Sequence, residues 1–155
     1  IIDNSDTISD SDGLASFWRI IEYLSTPGSQ KQIKENEDYQ IIRESVVNYV
    51  PKKGEKAQWQ NKNGDKVLFL NFSKVHQDYH KEVTKRQGEE VIHETTIRNY
   101  LKSKKYFIGL FASRRMGDRT PSGYAFNYTM MQRLGILNLH DSSDDQQNLD
   151  LPEGF

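Results

Sequence analysis

The 155-residue chain contains no cysteine. That excludes a disulfide framework, a thiolate metal site and a cysteine nucleophile, and it fits a reducing cytoplasm. No apolar run approaches the roughly 18 residues of a membrane span, and no signal peptide is visible. A phosphate-cradling glycine loop is also missing: Gly109 to Gly117 lacks both the spacing and the Lys-Ser/Thr ending. Glu89-Glu90 and Asp144-Asp145 are sequence neighbours, which rarely converge on one substrate, and the Ser, His and Asp residues have no signature spacing. His76 and His80 are four apart, but Gln77 stands where a metalloprotease helix needs Glu, and no third ligand suggests itself. The expectation is a chain without catalysis of its own, metal, cofactor, small-molecule substrate or membrane anchor. No internal repeat is visible.

Net charge is also nearly absent, at −1. The average conceals a split. Residues 52–119 hold sixteen Lys/Arg against eight Asp/Glu, and the rest of the chain holds five against fourteen. A basic middle between acidic ends points to an anionic partner. Seven Phe, eight Tyr and two Trp supply a core that 35% apolar content would otherwise make thin. The first residue is Ile, as expected of a domain excised from a larger protein or of a processed chain.

Residues 1–12 are polar and read as a flexible linker, with Asp12 capping a helix over 13–25. Leu14, Phe17, Trp18, Ile21 and Leu24 form its apolar face. The mix of β-branched and aromatic residues over 39–50 predicts strand, broken by a bulge or divided in two. The segments 57–60 and 67–72 flank Lys62-Asn63-Gly64-Asp65, the pattern of a tight hairpin. Ser73 then caps a helix over 74–87 with a Val75, Tyr79, Val83 stripe, and Gly88 closes it. A third helix over 94–104 turns Ile97, Tyr100 and Leu101 inward. Strand 106–112, the tip Arg114-Arg115-Met116-Gly117-Asp118-Arg119-Thr120-Pro121-Ser122-Gly123, returning strand 124–128 and a short helix over 129–134 follow.

This order, helix, strand, helix, helix, strand, hairpin, strand, is that of an α+β winged helix-turn-helix. The expected domain covers 13–137, with a β-hairpin insertion at 38–61 after the first helix and an acidic flexible tail at 138–155. In such folds the helix before the wing enters the major groove, and wing cations meet phosphates. Thr95, Thr96, Arg98, Asn99 and Lys102 are then the candidate base readers. Lys104, Lys105, Arg114, Arg115 and Arg119 are the candidate phosphate contacts.

Four segments carry a family resemblance: Leu14-Ala-Ser-Phe-Trp-Arg-Ile-Ile-Glu-Tyr-Leu24, Lys66-Val-Leu-Phe-Leu-Asn-Phe-Ser-Lys-Val-His-Gln-Asp-Tyr79, Thr96-Ile-Arg-Asn-Tyr-Leu-Lys-Ser-Lys-Lys-Tyr-Phe-Ile-Gly109 and Tyr124-Ala-Phe-Asn-Tyr128. Over residues 14–137 the chain resembles the C-terminal region of primase–helicase proteins from phages and bacterial mobile elements. The resemblance implies a cytoplasmic, non-catalytic accessory domain that holds DNA for the parent replication motor. The parent's ATPase and polymerase motifs are not in this chain, so those activities are not implied for it. Two other roles fit the residues: a protein-interaction module docking a helicase or other replication subunit, and a stand-alone replication initiator or transcriptional regulator.

Overall fold

The computed structural model describes residues 4–26 and 32–142, with side chains from residue 13 onward. The elements are α1 (Asn4–Ser25), β1 (Tyr39–Ile42), β2 (Val46–Tyr49), β3 (Ala57–Gln60), β4 (Val67–Leu70), α2 (Phe72–Lys85), α3 (Glu94–Leu101), β5 (Phe107–Phe111), β6 (Gly123–Asn127) and α4 (Tyr128–Arg133). The fold is mixed α+β with two antiparallel sheets. One is four-stranded in the order β1-β4-β6-β5, and the other pairs β2 with β3. Val50 N–H donates to the Leu110 carbonyl at 2.8 Å, which attaches the small sheet to the free edge of β5.

The run Val67-Leu68-Phe69-Leu70 explains the layering. Side chains alternate across a strand, so an unbroken apolar strand needs cover on both faces. Leu68 and Leu70 join the helix-side core with Phe17, Trp18, Phe72, Tyr79 and Phe126. Val67 and Phe69 join a second, smaller core with Val47, Phe111, Met116 and Ala125, and Trp59 packs against it from β3. Fully burying each large apolar side chain stabilises the fold by about 1.5–3 kcal/mol. The helix-side core thus outweighs the second by the number of its large residues. At Gly123 the β6 backbone passes so close to β4 that a Cβ would collide with the Leu70 carbonyl. That position admits only glycine.

Four features depart from the reading by pattern. α1 begins at Asn4 rather than Gly13, so Asp12 lies inside the helix instead of capping it. β3 pairs with β2, not with β4. Both edges of β4 are occupied, by β1 and β6, so the Asn63-Gly64 turn links two sheets instead of closing a hairpin. Asn61 holds that link: its amide donates to the Glu44 and Asp65 carbonyls, and its Oδ1 accepts from Asp65 N–H. α2 starts at Phe72, and the Ser73 hydroxyl donates to Glu94 on α3 instead of capping. Finally, residues 138–142 pack onto the body. Leu139 and Asp141 are buried, and Lys66 Nζ meets Asp141 Oδ2 at 2.7 Å with both side chains under 10% exposed. The Tyr39 hydroxyl donates to the His140 carbonyl, and the Tyr128 hydroxyl both donates to the Leu139 carbonyl and accepts from Leu139 N–H. The remainder of the predicted tail, 143–155, lies outside the described residues.

Candidate nucleic-acid interface

α3 sits on the helix-side core through Ile97 and Leu101. That seating turns Thr95, Asn99 and Lys102 to solvent along one stripe, at the three- and four-residue spacing of a helix face. Thr96 and Arg98 are half-buried. Arg98 lies near the Tyr124 hydroxyl on β6; burial pushes that phenol up, and the guanidinium offsets part of the rise. The Arg98 Nε–H is buried without a partner among the described residues. Half-buried beside β6, Arg98 belongs less to the solvent stripe than its position in the sequence suggests. Past the helix, Lys105 is exposed and Lys104 half-buried in the turn into β5.

The three arginines of the hairpin tip separate into two kinds. Arg114 is held from three sides: its Nε donates to Gln40 Oε1 at 2.7 Å, its Nη1 meets Glu44 Oε1 at 2.9 Å, and its guanidinium lies 3.9 Å from the Phe69 ring centroid. Its charge and its planar face are thus already engaged within the fold, which leaves it less free for a phosphate than its neighbours. Arg115 and Arg119 are exposed. Between them Met116 is buried in the second core, and Gly117 at φ 64° makes the turn that pairs Met116 with Arg119. The loop thus folds back over the sheet face opposite the helices and reaches β1, where Gln40 Nε2 donates to the Arg115 carbonyl. Lys104 and Lys105 lie at the other end of β5. With five residues in β5, about 13 Å separates them from the loop at a rise of ~3.3 Å per residue. The candidates therefore form two cationic patches, not one cluster.

Sequence reasoning missed a third charged group. Lys74 Nζ donates to the Gln32 carbonyl at 2.8 Å, to Asp38 at 3.1 Å and to Asp78 at 2.6 Å, which uses all three of its protons. Burial alone would lower its pKa, but the two carboxylates reverse the effect and raise it. The Lys74/Asp78 half was legible as an i,i+4 pair on α2; Asp38, from another element, was not.

No family model, curated protein or solved structure matches the chain. The chemistry of the site thus rests on its own geometry. His76 is buried among Phe17, Phe72 and Tyr79 and donates from Nε2 to the Ile92 carbonyl at 2.8 Å, whereas His80 is exposed, so the two do not converge. Among the described residues no group of three or more His, Cys, Asp or Glu could hold a metal ion. No described helix is long and apolar enough to cross a membrane. What the surface offers is exposed cations and hydroxyl and amide groups, the chemistry of phosphate and base-edge contacts.

Proposed function

We propose that the chain is a winged-helix-like DNA-binding accessory domain of a replication protein of the primase–helicase type. The carrying observation is connectivity. The succession α1, β4, α2, α3, β5, loop, β6, with β6 between β4 and β5, supports the reading because a winged helix has the same order and strand arrangement; β1–β3 then count as an insertion after α1. α3 then occupies the recognition position, and its exposed Thr95, Asn99 and Lys102 stand where a reading helix needs polar side chains. Lys105, Arg115 and Arg119 supply phosphate contacts. The resemblance to primase–helicase C-terminal regions supports the replication role. Fluorescence anisotropy with single-stranded, duplex and forked DNA over a salt series tests the reading. Submicromolar binding at low salt that weakens steeply with salt is expected, and no binding of any form at low salt would refute it.

The folded-back loop favours a second reading, a docking surface for another replication subunit. A wing that lies against its own sheet offers less to a DNA groove than a projecting one. Stable co-purification with a helicase partner in the absence of DNA binding would select this reading.

A further inference from the structure

We propose that the groove between α1 and the turn from α3 into β5 binds an unpaired nucleotide of a single strand. The groove has a volume of about 710 Å³. That lies within the roughly 300–1,000 Å³ typical of small-ligand sites. Its apolar wall is formed by Leu14, Trp18, Tyr106 and Ile136, together with Leu134, which is 60% exposed. Its rim carries Arg19, Lys104 and Lys105 against a single carboxylate, Glu22.

Two observations select the occupant. None of the three rim cations forms an ion pair among the described residues, whereas Glu22 already accepts from Asn138 N–H at 3.0 Å. The free charge at the rim is thus positive and calls for an anion. An apolar wall beside that rim suits a group with a flat unsolvated face next to its charge, the combination that single-stranded nucleic acid presents in base and phosphate. A paired base is stacked and faces inward, so a concave site of this size admits a strand only where it is unpaired. The groove shares Lys104 and Lys105 with the interface above. The proposal therefore rests on the DNA-binding reading and adds to it the form of nucleic acid.

Arg19 and Leu134 belong to the groove alone and are both exposed. The double variant Arg19→Glu/Leu134→Glu therefore tests the groove without touching α3 or the loop, and circular dichroism checks that it folds. Anisotropy is measured for a labelled twelve-nucleotide oligo-dT, a blunt duplex and a mononucleotide competitor. The expected result is a loss of roughly tenfold or more in oligo-dT affinity, with duplex affinity changed less than about threefold. In a Trp59→Phe background, where Trp18 is the only remaining tryptophan, oligo-dT should shift its emission saturably. Unchanged oligo-dT affinity, or an equal loss on duplex, overturns the groove while leaving DNA binding intact. Absence of binding by the unaltered chain overturns both. Competition by dTMP at micromolar concentration would show a free-nucleotide site and overturn the strand assignment.

Discussion

Replacing Arg114 by alanine separates a structural arginine from a DNA-contacting one. The guanidinium makes three contacts, and each has a magnitude. Stacking over Phe69 at 3.9 Å contributes about 1 kcal/mol for a partly exposed cation–π pair. The hydrogen bond to Gln40 contributes about 1 kcal/mol. The Glu44 pair, with side chains 24% and 35% exposed, contributes about 0.5 kcal/mol after solvent screening. Arg114→Ala should thus destabilise the chain by about 2–3 kcal/mol. With a urea m-value near 2 kcal/mol/M, that lowers the midpoint by about 1 M. DNA affinity of the folded variant, measured well below the unfolding transition, should change less than twofold. Arg115→Ala/Arg119→Ala should do the reverse: no midpoint shift, and weaker binding with a shallower salt dependence. An unchanged urea midpoint in Arg114→Ala combined with a large loss of affinity would refute the assignment and return Arg114 to the phosphate contacts.

Asp141→Ala removes one partner of the buried Lys66 ammonium, which should cost about 1–3 kcal/mol in urea denaturation; Leu139 N–H, held by the Tyr128 hydroxyl, should lose hydrogen-exchange protection in the same variant. Burial raises the phenols of Tyr39, Tyr79 and Tyr124, and the Asp38/Asp78 pair raises Lys74 against the opposing effect of burial. Groups with raised folded-state pKa values contribute stability that is complete below their unfolded values, near 10, and is lost as pH climbs past them. Chemical denaturation from pH 8 to 11.5 should therefore give a plateau below about pH 9.5 and a decline above it, and a flat profile would contradict the tyrosine burial. For duplex DNA, four exposed cations, Lys102, Lys105, Arg115 and Arg119, predict a log affinity versus log salt slope of about −3.6, at roughly −0.9 per phosphate; a slope beyond about −7 would mean that the basic 52–62 segment also binds.

The elements that could be read from the sequence are those whose evidence is local. The α1 stripe, the β4 run and the α2 and α3 faces are fixed by periodicity within a dozen residues, and each lies where that periodicity predicts. What escaped depends on distant partners. Asn63-Gly64 is a sound turn signal, but a turn does not name its pairing: β4 had two better neighbours, from residues 39–42 and 123–127. Ser73 looks like an N-cap, yet Glu94 takes its hydroxyl from another helix. Asp141 sits in a polar run that reads as solvated tail, and only Lys66, far away in the sequence, makes it a buried residue. Within the candidate site, helix geometry turned Arg98, Asn99 and Lys102 outward; Asn99 and Lys102 are exposed, whereas Arg98 is half-buried. Arg114 could not be told from Arg115, because what distinguishes them is Phe69, Gln40 and Glu44 on strands β4 and β1 and in the bend after β1.

The same partnerships change what the charge split means. An excess of cations over residues 52–119 suggests a strong field, but several of those charges are neutralised within the fold. Lys66 meets Asp141, Lys74 meets Asp38 and Asp78, Arg86 meets Glu82, and Arg114 meets Glu44. Asp38, Glu44 and Asp141 come from outside the basic segment, so part of the acidity at the ends of the sequence is folded onto its middle. The field that an approaching polyanion meets is therefore set by the cations left unpaired. Around the candidate interface these are Lys102, Lys104 and Lys105 at the α3 end of β5, Arg19 across the groove from them, and Arg115 and Arg119 in the loop at the far end. Exposed charges more than a Debye length apart, about 8 Å at physiological salt, act almost independently. The patches at the two ends of β5 are separated by more than that. A short ligand can thus use one patch alone, and only a ligand that runs the length of the β5–β6 hairpin gains from both. A nucleic-acid strand has that reach and a free phosphate does not, so affinity should grow with strand length until both ends of β5 are spanned.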